Sequence, residues 1–401
     1  MKTRMSKAPK ASSKSKAMTV FPRITPTLAI IATALVLVSC ATPPARVPAP
    51  SGPARVGVPA RPETAVQAPA VMRGKSRWVP VAWTELPGFE NDALFEAWNA
   101  WLKSCERPSP AFAPLCGEVR RLSIASGDEQ RAWMTTRLQP YRVETLQGQA
   151  DGLLTSYYEP LLKASRQPGN GYAVPLYQPP VGLGGRKPWY TRQEIETLPE
   201  AQAALRGREI AWLADPIDAM SLHIQGSGRL AVTEADGAQR TVRVAFAGSN
   251  DQPFRSITQW LADQGQGRMV APWTESTKTW VAQNPQRLSQ LLWSNPRYIF
   301  FREEALSEMD VAYGPRGAQG VPLTPGRSIA VDRESIPYGT PVWLASRGAA
   351  ADLQKLVMAQ DTGSAIVGAV RADYFAGTGP QAGELAARVN QPLRLWVLWP
   401  K

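Results

Sequence analysis

The carboxylate side chains of Asp and Glu are the groups in this 401-residue sequence that are suited to catalysis by type and position. The chain has a single histidine, His223, so a Ser-His-Asp triad or a multi-histidine metal site would depend on that residue alone. Gly-x-Ser-x-Gly is absent, and Gly226-Ser227-Gly228 lacks the spacing and the lysine of a phosphate loop, so it is typical of a tight turn. General acid–base chemistry by Asp or Glu is what remains.

Three aspartates differ from the other acidic residues: Asp332, Asp361 and Asp373. Each aspartate follows a segment that is typical of a strand or a turn, and each has either a glycine beside it or a turn with proline after it. Most other acids lie in predicted helices next to basic residues, which is typical of a solvated surface. A turn aspartate more often accepts hydrogen bonds from its own backbone. The residues alone therefore leave catalysis and backbone capping both open.

His223 lies in the run 221–224, where Leu222 and Ile224 alternate with polar residues. This alternation predicts a strand with His223 pointing away from the buried face. A satisfied or exposed strand histidine is the commoner outcome, so we do not expect a catalytic base here.

Helices and short strands are both predicted along the chain. Asn91-Asp92 precedes a core-facing helix that ends near Cys105, and four further helices are predicted over 128–138 and from the start signals Thr191-x-x-Glu194, Ser256-x-x-Gln259 and Asn284-Pro285. Alternating runs predict strands at 153–158, 221–224, 242–246, 298–301, 328–331, 342–344, 356–359 and 393–398. This mixture predicts a β-rich α+β fold around small barrels.

The net charge of +12 is confined to the N-terminal part of the chain. Residues 1–40 carry seven basic groups and no acid, and residues 41–77 carry six basic groups and one acid, so residues 78–401 are formally neutral. We therefore expect no nucleic-acid partner.

An apolar run over 24–39 follows the basic stretch and ends at Cys40, which predicts a secretory signal peptide over residues 1–39. Leu37-Val38-Ser39-Cys40 resembles the lipobox of bacterial lipoproteins, which implies that Cys40 is lipidated. Ala41 after the cysteine implies a location at the periplasmic face of the outer membrane, and an uncleaved anchor is the alternative.

Eight prolines between Pro43 and Pro69 predict a tether over residues 40–77. Outside the cytoplasm, Cys105 and Cys116 are expected to form a disulfide.

Several ordered motifs run along the chain from the first predicted strand to the last aspartate. The C-terminal motifs are the segments around the three aspartates, which run from Ser328 to Thr340 and from Ala359 to Gly379. The upstream motifs are Leu154-Thr155-Ser156-Tyr157-Tyr158-Glu159-Pro160, Asp215-Pro216-Ile217-Asp218, Ile224-Gln225-Gly226-Ser227-Gly228-Arg229 and Phe246-Ala247-Gly248-Ser249-Asn250. Together these motifs resemble the membrane-bound lytic murein transglycosylase A family, and the resemblance covers about residues 78–401.

The resemblance implies a double-psi β-barrel domain and a second, inserted β-rich domain, with a glycan groove between them. Domain 1 would comprise residues 78–159 and 312–401, and domain 2 residues 160–311. The implied activity is cleavage of the β-1,4 bond between N-acetylmuramic acid and N-acetylglucosamine in peptidoglycan, with formation of 1,6-anhydromuramic acid. No metal or cofactor is implied.

By position, Asp373 matches the catalytic acid of the family and Asp361 a second aspartate beside it, whereas we expect Asp332 to be structural. The resemblance implies that four residues line the groove and contact sugar: Thr155, Tyr158, Gln225 and Ser227. The implied partners are peptidoglycan glycan strands and, through the lipid on Cys40, the membrane; complexes with cell-wall synthases or hydrolases stay open. A water-using muramidase and a non-catalytic peptidoglycan-binding lipoprotein are the alternative functions.

Overall fold

A computed structural model describes residues 69–267, 272–308 and 310–401 of the chain. The helices are α1 (Leu94–Ser104), α2 (Cys116–Arg121), α3 (Gly127–Arg137), α4 (Arg192–Thr197), α5 (Pro199–Leu205), α6 (Pro216–Gln225), α7 (Ile257–Leu261), α8 (Trp273–Gln283), α9 (Leu288–Trp293) and α10 (Pro380–Arg388). The strands are β1 (Val71–Arg73), β2 (Ser76–Pro80), β3 (Leu138–Thr145), β4 (Gly152–Glu159), β5 (Leu161–Ser165), β6 (Val174–Tyr177), β7 (Glu209–Leu213), β8 (Ser227–Thr233), β9 (Gln239–Ser249), β10 (Ile299–Ala305), β11 (Ser328–Val331), β12 (Pro341–Arg347), β13 (Asp352–Asp361), β14 (Arg371–Thr378) and β15 (Asn390–Pro400).

Part of the larger sheet closes into a barrel. Its nine strands run in the order β1-β2-β3-β15-β12-β13-β11-β14-β4, and β15 also pairs with β4, so the strands from β15 to β4 form a closed ring. Within the ring β11 is parallel to β13, and β14 is parallel to β4. Closure leaves no free edge in the ring. The predicted β-rich α+β fold around a barrel is confirmed.

Residues 356–359 of strand β13 are buried on both faces of the strand, which explains the continuous apolar run there. Val357 and Ala359 belong to the barrel interior, where they pack with Ile329. Leu356 and Met358 point the other way and pack in the cluster that contains the tryptophans of α1. Successive side chains of a strand alternate between faces, so the run fills two cores at once.

Helix α1 covers the barrel, but the residues before it act differently from the prediction. Ala93 precedes α1 without a side-chain cap. The Asp92 carboxylate Oδ2 instead accepts hydrogen bonds from Arg327 Nη1 and from the Leu356 backbone N–H, both at 2.8 Å. Asp92 therefore ties the start of α1 to the barrel. Phe95, in the first turn of α1, is 64% exposed.

A second sheet is built from the segment between β4 and the last barrel strands. Its strand order is β10-β9-β8-β5-β7-β6, with β5 and β8 parallel. Its core is a cluster of buried aliphatic and aromatic residues that includes Leu230, Val244 and Phe301. Helices α6, α7, α8 and α9 share an adjoining cluster around Trp280.

The side chain of Glu159 lies where the chain leaves the barrel for the second sheet, and it is fully buried. Its Oε1 accepts a hydrogen bond from Arg243 Nε at 2.6 Å, and its Oε2 accepts from Arg229 Nε and Thr378 Oγ1, both at 2.8 Å. The two arginines belong to β8 and β9, and Thr378 ends β14. One carboxylate therefore joins strands of both sheets.

The same arginines hold the segment that returns to the barrel. Arg229 Nη2 donates to the carbonyl oxygens of Val311 and Tyr313, both at 2.9 Å. Arg243 Nη2 donates to the Tyr313 carbonyl at 2.8 Å. Both chain crossings between the sheets thus meet at one buried ionic cluster.

Residues 221–224 lie in helix α6, so the predicted strand is wrong. Asp215 Oδ1 accepts from the Ile217 N–H at 2.7 Å and caps the helix, which ends where Gly226 takes a φ of 79°. His223 is buried, not exposed, and its Nδ1 lies 2.9 Å from Arg192 Nη2. Burial and the Arg192 charge hold the pKa of His223 well below its usual value. The imidazole is therefore neutral and structural.

The predicted signal peptide, Cys40 and the Pro-rich tether as far as residue 68 lie outside the described residues. The end of the tether was predicted wrongly, because residues 71–73 form β1 and 76–80 form β2, which pairs with β3. Trp78 is buried there and its Nε1 donates to the Ser335 carbonyl. Across the described ranges, none of the helices has the length and apolar character needed to cross a membrane.

Cys105 and Cys116 are joined in a disulfide, with their Cα atoms 5.6 Å apart. Both are buried in the cluster that contains Trp98 and Trp101. The bond closes a short loop between α1 and α2.

Replacement of Glu159 by Gln is expected to lower the free energy of unfolding by about 3–5 kcal/mol, because two buried guanidinium groups lose their counter-charge. Urea denaturation followed by circular dichroism measures the change. Asp352→Asn is the control, since Asp352 pairs with Arg347 at the surface, where both are more than half exposed; its loss should stay below about 1 kcal/mol. Equal losses in the two variants would contradict the assignment.

The double substitution C105S/C116S is expected to lower the free energy of unfolding by about 3 kcal/mol, the chain-entropy value for a loop of this length. Thermal melts with and without dithiothreitol measure this. The reductant should destabilise the native protein and leave the variant unchanged, whereas a variant as stable as the oxidised protein would refute the expectation.

Candidate active site

Barrel closure sets three candidate residues on neighbouring strands. Thr155 of β4 pairs with Asp373 of β14, and Asp373 pairs with Ala330 of β11. Ala330 pairs in turn with Asp361 of β13, where the register shifts by a bulge. Residues in register on adjacent strands present their side chains to the same face, so Thr155 and Asp373 lie side by side.

Asp373 is a half-buried carboxyl group with one polar contact to Thr155. Its Oδ1 accepts a hydrogen bond from Thr155 Oγ1 at 2.5 Å, and Thr155 Oγ1 accepts from Arg371 Nη2 at 2.8 Å. The pKa of Asp373 is raised to about 6, and burial is the main cause. The negative charge of Asp361 also raises this pKa, whereas the hydrogen bond from Thr155 and the positive charge of Arg371 lower it. A carboxyl group with this pKa is suited to general acid catalysis near neutral pH.

Asp361 has both carboxylate oxygens occupied. Its Oδ2 accepts from the Tyr157 hydroxyl at 2.8 Å and its Oδ1 from the Ala318 N–H at 2.9 Å. Burial raises the pKa of Asp361, and the hydrogen bonds from Tyr157, Thr362 and Ala318 oppose the rise.

Asp332 is buried and lies at the base of the loop over 362–370. Its Oδ2 accepts from Lys75 Nζ at 3.1 Å and from the Gly368 N–H at 2.9 Å, and its Oδ1 accepts from the Glu334 N–H at 3.0 Å. Burial raises the pKa of Asp332, but these hydrogen bonds outweigh it, so the pKa lies below its usual value. A charged Asp332 thus joins the loop to the N-terminal hairpin.

An open groove of about 1110 Å³ lies beside Asp373. Its barrel side includes Thr155, Arg371, Asp373, Ser364, Gly383 and Asn390, and its other side includes Asp218, Gln225, Phe254, Gln259, Trp273 and Lys278 of the second sheet's helices and loops. Neither Asp361 nor Asp332 is among its described lining residues. Asp373 is therefore the aspartate of the three that a ligand in the groove would meet.

Three of the four residues predicted to contact sugar line this groove: Thr155, Tyr158 and Gln225. Gln225 Oε1 accepts from the Tyr158 N–H at 3.1 Å, which joins α6 to β4. Ser227 does not line the groove, which departs from the prediction. It is 7% exposed and starts β8 opposite Ala245, because the chain reverses at Gly226 after the helix.

The sequence reasoning missed two residues of the site, Arg371 and Tyr157. Each lies two positions from a predicted site residue on the same strand, Arg371 before Asp373 and Tyr157 after Thr155. A period of two places both pairs on one strand face, and this signal could have identified them. Strand β14 itself was not predicted.

The groove also contains an ion pair that the sequence reasoning did not assign. Lys278 Nζ lies 2.7 Å from Asp218 Oδ1 and 3.6 Å from Asp215 Oδ2. Burial raises the pKa of Asp218, against the opposing effect of Lys278. This pair links α8 to α6 along the wall of the groove.

Two family models match the chain. The model described as the MltA specific insert domain matches residues 153–302, and the model described as the 3D domain matches residues 327–399. The first covers most of β4 and the second sheet without the last three residues of β10, and the second covers the barrel strands from β11 to β15 without the last residue of β15.

Several relatives match over most of the chain. The membrane-bound lytic murein transglycosylase A of Vibrio cholerae is 30% identical over 302 residues, which are 72% of this chain and 76% of that protein. The lytic transglycosylase LtgG of Burkholderia pseudomallei is 40% identical, with a TM-score of 0.56 over 84% of this chain and 99% of that one. The membrane-bound lytic murein transglycosylase of Agrobacterium tumefaciens is 28% identical, with a TM-score of 0.67 over 80% and 97%.

The two solved structures support the expected double-psi barrel with an inserted domain. The C-terminal motifs lie in the barrel, residues of three upstream motifs line the groove, and the motif over 246–250 lies at the end of β9 in the second sheet. On the identity and coverage of these matches, the chain belongs to the membrane-bound lytic murein transglycosylase A family.

Proposed function

We propose that the chain is a peptidoglycan lytic transglycosylase that cleaves the β-1,4 bond between N-acetylmuramic acid and N-acetylglucosamine, with Asp373 as acid and then as base. The observation that carries the proposal is the position of Asp373 in the groove with a pKa raised to about 6 by burial. The family membership supports the substrate class.

The proposed reaction needs one proton donor. The carboxyl group of Asp373 gives its proton to the glycosidic oxygen, the bond from that oxygen to C1 of the muramic acid breaks, and the glucosamine leaves as an alcohol. The C6 hydroxyl of the same muramic acid then attacks C1, and its proton returns to the Asp373 carboxylate. The product is a 1,6-anhydro sugar, and no water is consumed.

Asp361 acts through its charge in this scheme. A hydrolase would need a second carboxylate placed to attack the sugar or to activate water. Both Asp361 oxygens are occupied by Tyr157 and Ala318, and Asp361 is not among the described lining residues of the groove. This arrangement favours the transglycosylase over a water-using muramidase.

The size and chemistry of the groove suit a glycan strand. It presents hydroxyl, amide and aromatic groups from Tyr158, Gln225 and Trp273. We propose two domains, residues 78–159 with 312–401 and residues 160–311, and the first extends back to Val71 because β1 and β2 belong to the larger sheet. The division of the strands between the two sheets supports these boundaries. The lipid anchor on Cys40 at the outer membrane is part of the same proposal and rests on the sequence of the lipobox.

Asp373→Asn is expected to lower the rate of sacculus digestion by roughly 10²–10⁴-fold, because an amide cannot donate the proton. Full-length protein in detergent is incubated with purified sacculi, and the muropeptides are separated and weighed. Products of the native protein should be one water lighter than hydrolytic muropeptides.

The exposed Asp352→Asn variant is the matched control and should digest at the native rate. Products with free reducing ends would assign the chain as a muramidase. Sacculus binding without product from folded native protein would assign a non-catalytic binding lipoprotein.

The rate should also depend on the charge of Asp373. Because the free enzyme must carry a protonated Asp373 with a pKa of about 6, kcat/KM should be level below that pH and fall about tenfold per pH unit above it. Release of soluble product from sacculi between about pH 4.5 and about pH 8 measures the profile. A descending limb near the usual aspartate pKa, about 4, would contradict the assignment.

A further inference from the structure

Arg371, Thr155 and Asp373 form a hydrogen-bonded row along two parallel strands. Thr155 and Asp373 are in register, and Arg371 lies two residues before Asp373 on the same face of β14. Arg371 Nη2 is 2.8 Å from Thr155 Oγ1, which is 2.5 Å from Asp373 Oδ1.

The direction of both hydrogen bonds follows from the chemistry of the groups. A guanidinium group can only donate, so the Thr155 oxygen accepts from Arg371. The hydroxyl has one proton of its own, which is left to point at Asp373 Oδ1. The backbone holds the guanidinium in place, since Arg371 Nη1 donates to the Ala372 carbonyl at 2.5 Å and to the Leu153 carbonyl at 3.4 Å.

The two oxygens of Asp373 therefore differ. Oδ1 is held as a hydrogen-bond acceptor, whereas Oδ2 has no hydrogen-bond partner among the residues that the structure describes. Because Oδ1 accepts the hydrogen bond from the Thr155 hydroxyl, protonation of Oδ1 is disfavoured. The acid proton of Asp373 is therefore carried by Oδ2.

We infer that Arg371 and Thr155 are positioning residues that direct the acid proton of Asp373 to Oδ2. This inference rests on the proposed function and deepens it. Oδ2 gives its proton to the glycosidic oxygen and later takes one from the C6 hydroxyl, while Oδ1 keeps the Thr155 hydrogen bond throughout. Thr155 is then committed to Asp373, which differs from the sugar contact predicted from the sequence.

The test compares Thr155→Val, which keeps the shape and removes the hydroxyl, with Thr155→Ser, which keeps the hydroxyl. In full-length protein, Thr155→Val should lower kcat roughly 10–100-fold, move the descending limb of the pH profile to higher pH and change KM little. Thr155→Ser should restore most of the rate and the native limb. Arg371→Met should act in the same direction as Thr155→Val. Thr136→Val, on the exposed side of α3, is the control for loss of a hydroxyl and should match the native protein.

A second measurement does not depend on turnover. Carbon-13 labelling of the aspartate carboxyl groups lets NMR follow the titration of Asp373, with Asp373→Asn assigning the signal. The midpoint should rise in Thr155→Val and return in Thr155→Ser. If these shifts of the titration midpoint occur but the native protein does not cleave sacculi, the hydrogen-bonded row is supported and the proposed function is rejected.

Two outcomes would overturn the inference. One is a native titration midpoint in folded Thr155→Val. The other is a rise in KM with kcat and the pH limb unchanged, which would make Thr155 a sugar-binding residue.

Discussion

The buried ionic cluster of Glu159 with Arg229 and Arg243 is the interaction on which the groove depends. The groove has one wall on the barrel and the other on the helices of the second sheet, and both chain crossings between these sheets meet at this cluster. The Glu159 carbonyl also accepts from the Gly379 N–H, just before α10. Ionic hydrogen bonds are directional, so this cluster holds the two chain crossings in one arrangement.

Strand β4 connects this cluster to the chemistry. It carries Thr155 at one position and Glu159 four residues later, and it is parallel to β14, which carries Asp373. A displacement of β4 would change the 2.5 Å contact between Thr155 and Asp373 as well as the crossing between the sheets. The pKa of Asp373 is therefore coupled to the architecture through one strand.

The sequence predicted the elements that repeat a simple period and missed those that do not. The strand at 356–359 and the capping box at Thr191 were predicted correctly, because apolar burial and local capping decide them. Helix α6 was predicted as a strand, since Leu222 and Ile224 fit an alternating pattern as well as a helical one over four residues. The start signal of α6 is Asp215-Pro216, an N-cap aspartate followed by proline at the first helical position.

Long-range contacts explain the other errors. Asp92 is a residue type that is common at the start of helices, yet its carboxylate binds Arg327, which is 235 residues away in the chain.

Strand β14 was not predicted because polar residues such as Arg371 and Asp373 interrupt its apolar pattern. These are the residues that face the groove, so the functional face of the strand is what weakens its sequence signal.

In the proposed mechanism one carboxyl group is enough because the substrate supplies the nucleophile. Attack by the C6 hydroxyl within the same sugar is favoured by proximity, so the protein must supply a proton and take one back. Burial without donors would raise the pKa further and make Asp373 a weak acid that gives up its proton reluctantly, whereas strong donors without burial would leave it ionised before the substrate binds. Burial of Asp373 and the charge of Asp361 act against Thr155 and Arg371, and the result is a pKa of about 6. That value lets the same group act as the acid in the first step and as the base in the second.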